Sequence, residues 1–156
     1  MAKENITREK TISKSIRYFE NGLYCSEALL KAFNEEYKLG LPKKYLKIAT
    51  GFGAGLGAAK CCCGCLTGGV MVLSLVKGRN TAEESEDPAF ELVSSLHDQF
   101  KKEYKFTCCR ALTKKVEWGS EEHVAYCSKI VGRTAELISD LLTKKEEVKN
   151  IGEETA

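Results

Sequence analysis

GFGAGLGAAKCCCGCLTGGVMVLSLVKG, residues Gly51 to Gly78, is the stretch around which the rest of the chain is organised. It opens on a glycine ladder (Gly51, Gly53, Gly55, Gly57), passes through Cys61, Cys62, Cys63 and Cys65, and closes on a nearly unbroken apolar run. Glycine lets backbone come close to a bulky object, and clustered thiols are soft metal ligands or redox groups. The stretch therefore reads as a cofactor cradle, with Gly53, Gly55, Gly57 and Gly64 as the glycines against the cofactor, feeding a buried helix. Gly53 to Ala58 also satisfies the G-x-G-x-x-A dinucleotide fingerprint, but that motif needs a preceding strand and an acidic residue about twenty positions on. From Tyr37 through Ala82 there is no acidic residue at all, so nucleotide binding is set aside.

Working outward, apolar residues recur at helical spacing. Ile12, Ile16 and Phe19 predict a helix from about Glu4 to Asn21, stopped by Gly22. A second helix, from about Tyr24 to Tyr37, carries Cys25, Ala28, Leu29, Ala32 and Phe33 on one face. Pro42 is placed to open a short third helix through about Thr50. From about Cys62 to Val76 the chain is apolar on nearly every face, which predicts a helix in the middle of a bundle with Gly78 as its end. Arg79 to Glu86 is polar and reads as a mobile loop. Asp87-Pro88 then starts a helix with Phe90, Val93, Leu96, His97 and Phe100 on its apolar face up to about Tyr104. Ser120 caps the last long helix, whose stripe is Cys127, Ile130, Val131, Thr134, Leu137, Ile138 and Leu141. The expected fold is all-α: one cysteine-rich helical domain, a compact bundle of five to six helices with a buried central helix and a glycine-rich loop. A charged tail over residues 145–156 is expected to fray.

Composition narrows the function. A net charge of +2 over 156 residues argues for neither nucleic acid nor an anionic membrane surface. No run reaches the roughly 18–20 apolar residues of a membrane span; the best candidate, between Lys60 and Lys77, is short and glycine-broken. The polar N-terminus lacks the apolar core of a secretory signal, so the expected location is cytoplasmic. In a reducing compartment eight cysteines point to metal binding or catalysis rather than to a disulfide framework. The acid-free stretch carries Lys38, Lys43, Lys44, Lys47, Lys60, Lys77 and Arg79, an electropositive setting that favours thiolates.

The cysteines arrive from four places: Cys25, the 61–65 cluster, the Cys108-Cys109 pair and Cys127. Four thiols are what an iron–sulfur cluster or a structural zinc needs, and spacing alone separates the two poorly. If the cluster were helical, Cys61, Cys62 and Cys65 would share a face and Cys63 would point elsewhere. Cys62 and Cys65 also form the C-x-x-C spacing of redox dithiols. Three readings follow: an iron–sulfur redox or electron-transfer protein; a thiol- or cluster-based oxidoreductase acting on a small molecule; and a zinc or copper binding module. His97 reads as a core histidine, and His123, one turn before Cys127, as a second ligand or a solvated side chain. Arg110 could stabilise a thiolate or cap a surface.

These residues resemble the C_GCAxxG_C_C family of redox-active proteins. The resemblance rests on YCSEALLKAF, GFGAGLG followed by CGCLTGGVM, CCRAL and YCSKIVGRTAELI, and spans about Cys25 to Leu142. Matching these pieces places the family cysteines at Cys25, Cys63, Cys109 and Cys127, with Cys61, Cys62, Cys65 and Cys108 as additional thiols. The resemblance implies redox function and an iron–sulfur centre, because a similar domain in split-Soret cytochromes is associated with a two-iron cluster. The additional thiols leave the type open: two-iron, four-iron or larger. A redox partner protein is implied without being identified, and a glycine-faced helix could equally pack against a second copy of the chain.

Overall fold

The structure is a computed structural model that describes residues 2–153, with side chains described for residues 4–143. The tail expected to fray, 145–156, thus lies outside the described side chains. The described residues form seven helices and no strand: α1 (Ala2–Glu20), α2 (Cys25–Glu36), α3 (Gly53–Leu56), α4 (Gly64–Lys77), α5 (Asp87–Tyr104), α6 (Cys109–Leu112) and α7 (Glu121–Glu153). Five are long; α3 and α6 are single turns. The segment after Pro42 is helical as expected, but it is a 3-10 helix (Lys43–Phe52).

Helix α2 lies between α1 and α4, α5 packs on the far side of α4, and α7 runs across α1, α4 and α5. Phe33 of α2 and Phe100 of α5 are fully buried, each stabilising the core by about 1.5–3 kcal/mol. Two glycines set how closely α4 approaches its neighbours. A Cβ on Gly68 would lie 2.9 Å from the Ser26 backbone of α2, and one on Gly69 would lie 2.5 Å from a Leu96 methyl of α5. The glycines that weaken α4 as an isolated helix are therefore those that let it dock.

Two expectations about faces are corrected. α4 is not buried all round: Cys65, Leu66, Val72 and Leu73 are buried, but Val70, Leu75 and Val76 are 36–42% exposed. Its neighbours cover one side and leave the other open. On α5 the buried stripe is Ala89, Leu92, Leu96 and Phe100: Leu96 and Phe100 are buried as expected and Val93 is half-buried against the core, but Ala89 and Leu92 stand where Phe90 and His97 were expected to share the face. Phe90 is 66% exposed, and His97 stands at the surface with its Nδ1 2.9 Å from Asp98. The loop before α5 is tied across itself, with Arg79 paired to Glu86 and the Asn80 N–H donating to the Glu84 carboxylate at 2.8 Å. No described helix is long and apolar enough to cross a membrane.

Candidate functional site

The site begins where α2 begins. The Tyr24 N–H donates to the Glu27 carboxylate (2.8 Å), and Thr50 donates to the other oxygen of Glu27 (2.6 Å). Ser26 Oγ donates to the Ala49 carbonyl (2.8 Å). These bonds fix the first turn of α2, and with it Cys25, against the end of the 3-10 segment.

The chain then makes an unusual excursion. Ala54, Gly55, Leu56, Gly57, Ala58 and Lys60 all have positive φ. Four of them are not glycine, and each such residue costs roughly 1–2 kcal/mol in the left-handed region. The excursion is held by hydrogen bonds from the Lys60 N–H to Ala54 O (3.2 Å) and the Cys61 N–H to Gly55 O (2.9 Å). It presents no nucleotide-binding geometry, because a 3-10 helix rather than a strand precedes it. The chain leaves it extended and pairs with the segment before α6. The Cys63 N–H donates to Thr107 O (2.8 Å), the Cys109 N–H to Cys61 O, and the Arg110 N–H to Lys60 O (2.9 Å). Arg110 thus serves the backbone; its guanidinium reaches the Ala59 carbonyl.

This pairing overturns the helical partition of the cysteine cluster. Helix α4 starts only at Gly64, with Cys63 in extended conformation at its N-cap. Cys63 and Cys65 both turn inward, 5% and 2% exposed, while Cys61 is exposed and Cys62 half-buried. The C-x-x-C reading fails for the same reason: Cys62 faces Cys108, and Cys65 faces Cys25.

The inward thiols surround a cavity of about 280 Å³. Cys25, Cys63, Cys65, Cys109 and Cys127 line it, together with His123, Trp118, Ala54 and apolar side chains from α1, α6 and α7. Cys25, Cys63 and Cys65 are in mutual hydrogen-bonding contact. The Cys25 thiol is held well below its ordinary range by hydrogen bonds from Cys63 and Cys65, aided by backbone N–H groups at the α2 N-terminus. Cys63 and Cys65 are correspondingly pushed up, first by donating to Cys25 and then by burial. Cys109 and Cys127 interact with Cys25 only through charge; burial raises them to about 11 and about 12.

His123 closes one side of the cavity. Its Nδ1 accepts from the Gly119 N–H (3.3 Å), so Nε2 carries the proton and faces Cys127 Sγ at 3.6 Å. The Ser120 cap expected from sequence is present, with Ser120 Oγ accepting from the His123 N–H (3.1 Å). Burial, with the nearby Lys60 charge, lowers the His123 pKa. Trp118, the chain's single tryptophan, packs on His123 at a tilt of 39° with ring centroids 4.3 Å apart, and Lys60 Nζ lies 4.4 Å from the Trp118 ring centroid. Sequence reasoning missed Trp118 and Ala54; the only signal for the former was a lone aromatic just before a capped helix.

The four glycines expected to cradle a cofactor do not line the cavity. They approach protein instead: a Cβ on Gly53 would meet the Tyr24 ring at 2.5 Å, one on Gly55 would meet the Cys61 N and Cys109 Cβ, and one on Gly64 would meet Cys25 Sγ at 2.5 Å. Gly57 has nothing closer than the Gly51 carbonyl at 3.9 Å and serves the left-handed turn.

A family model described as "Putative redox-active protein (C_GCAxxG_C_C)" matches residues 23–141. The chain belongs to this family. No curated protein and no solved structure matches it. The C_GCAxxG_C_C pattern corrects one expectation. Its Gly-Cys-Ala-x-x-Gly core is met by Gly64-Cys65-Leu66-Thr67-Gly68-Gly69, with leucine in place of alanine. Cys65, not Cys63, therefore occupies the family position. The structure supplies physical reasons for both family glycines: Gly64 admits the Cys25 sulfur, and Gly69 admits α5 and α7.

Among the described residues no group of three or more His, Cys, Asp or Glu side chains is disposed to hold a metal ion. The thiols are instead distributed around a space. A tetrahedral zinc site needs four donors at about 2.0–2.3 Å from one point. A multi-iron cluster is anchored by thiols at separate irons; here Cys25, Cys63 and Cys65 touch one another, and Cys109 and Cys127 line the same cavity.

Proposed function

We propose that this redox-family chain is an iron–sulfur cluster-binding redox or electron-transfer protein. The observation that carries the reading is that five cysteines from four separate chain segments line one cavity, with three other cysteines left outside it. Cys25, Cys65, Cys109 and Cys127 would hold the cluster, and Cys63 stands beside them as a fifth thiol in the same wall. A bound cluster would supply one-electron transfer. The chain's own groups provide the setting for an anionic thiolate centre: the N-termini of α2 and α4, the Lys60 charge and the neutral His123 Nε2–H donor to Cys127. Apolar side chains and the Trp118 ring complete the cavity walls.

The test is anaerobic purification with counts of iron and acid-labile sulfide, together with visible and electron paramagnetic resonance spectra. Coloured protein with iron and sulfide in matching amounts is expected. Colourless protein without either, after reconstitution with ferrous iron and sulfide, would defeat the reading. Stoichiometric zinc without sulfide would replace it with a metal-binding module.

A further inference from the structure

Cys61, Cys62 and Cys108 stay outside the cavity, and two of these three face each other. Cys62 and Cys108 form an isolated antiparallel bridge. The flanking bonds run from the Cys63 N–H to Thr107 O and from the Cys109 N–H to Cys61 O. That pattern makes Cys62 and Cys108 a non-hydrogen-bonded pair, in which opposed Cα atoms lie about 4.5 Å apart with side chains on the same face. A disulfide spans Cα separations of about 4.4–6.8 Å, so backbone pairing alone has brought these cysteines into bridging range. Their neighbours are worse placed. Consecutive residues of an extended chain project to opposite sides, which turns Cys61 away from Cys62 and Cys109 away from Cys108. Both thiols are free and half-buried, open enough for a reagent that cannot reach the buried Cys63 and Cys65.

We propose that Cys62 and Cys108 form a reversible two-electron dithiol/disulfide couple, distinct from the cavity thiols, that exchanges with low-molecular-weight disulfides of the glutathione type. One of the two thiols, as thiolate, attacks the disulfide RSSR, forming a mixed disulfide and releasing RS⁻. The second thiolate attacks the protein sulfur of that mixed disulfide, forming the Cys62–Cys108 bond and releasing another RS⁻. The protein pair loses two electrons and two protons, and RSSR becomes two RSH. The structure accommodates the product. Cys108 Sγ now donates to the Lys60 carbonyl at 3.3 Å, and when it turns toward Cys62 that oxygen keeps the Arg110 N–H at 2.9 Å. The bond ties the residue before Cys63 to the residue before Cys109, so oxidation outside the cavity fixes two of its walls. The couple does not depend on the cluster reading.

The experiment equilibrates the protein, with and without iron, in glutathione buffers of graded ratio, traps free thiols by alkylation and locates each linkage by tandem mass spectrometry. Wild type, C61S, C62S and C108S are compared. A Cys62–Cys108 linkage is expected to form as the glutathione ratio becomes more oxidising. It should persist in C61S, and in C62S and C108S the remaining thiol should be found free or as a glutathione adduct. Iron content should be the same in all four proteins. Three results would each overturn the proposal: no Cys62–Cys108 linkage at any ratio, a linkage through Cys61 that forms at least as readily, or loss of iron from C62S or C108S. Because trapping is also read on the iron-free protein, failure of the couple and failure of the cluster reading are separable.

Discussion

The two sets of cysteines in this chain are interleaved in sequence and divided in space. Cys63 and Cys65 sit at the start of α4 and turn into a cavity with Cys25, Cys109 and Cys127. Cys61, Cys62 and Cys108, one or two positions away, stay outside on a pair of extended segments. The inner thiols meet because helix starts converge, with Cys63, Cys65 and Cys109 buried and Cys25 and Cys127 half-buried at the cavity wall. The outer thiols meet because two backbones exchange hydrogen bonds, and they remain open to solvent-borne reagents. The same residue type thus lines a shared cavity in one set and, in the other, stands on paired backbone segments outside it.

The sharpest way to break this contrast is metal content. Cys25→Ser and Cys109→Ser are each expected to reduce iron and sulfide to background, whereas Cys61→Ser retains the wild-type amount. Equal losses in all three would dissolve the distinction. Next in size is Gly64→Ala, which places a methyl 2.5 Å from Cys25 Sγ. We expect a loss of about 1–3 kcal/mol in urea unfolding of the iron-free protein, and unchanged stability would show that the inner thiols are loosely held. Cys65→Ser buries a hydroxyl among thiols and should cost about 1–2 kcal/mol. Cys61→Ser, at the surface, should stay within about 0.5 kcal/mol; the same urea measurement ranks them.

Another small effect is expected far from both sets. Glu35 is pushed up by burial, but hydrogen bonds from Tyr18 Oη (2.7 Å) and Lys14 Nζ (3.0 Å) together outweigh this and leave its pKa lowered. A carboxyl lowered in the folded state stabilises the fold above its unfolded pKa and loses that contribution as pH falls through the folded value. Acid should therefore reduce thermal stability over that window, and Glu35→Gln should flatten this part of the pH profile. Because the side chains are about one-third exposed, the difference should be under about 1 kcal/mol and shrink in salt. An unaltered profile in Glu35→Gln would show that the pair contributes nothing.

Helix boundaries were legible where local chemistry writes them: Asn21-Gly22 after α1, Asp87-Pro88 at α5, Ser120 before α7. On α5, Leu96 and Phe100 are buried as their spacing predicts, but Phe90 and Val93 are as apolar as Leu92 and only packing against the neighbouring helices placed Ala89 and Leu92 inside. The sorting of the cysteine cluster was not legible, because residues 61–63 are extended rather than helical and their conformation is set by a partner more than forty positions away.

The sequence by itself determined an all-α chain, the segments that carry thiols and the family to which they belong, because periodicity, caps and residue identity are local properties. Which thiols share a cavity was decided only by tertiary structure. Cys61 to Cys65 are five adjacent residues of nearly one type. Their sorting into inner and outer sets depends on backbone hydrogen bonds to Thr107–Arg110 and on the left-handed excursion before them, both of which exist only once the chain has folded.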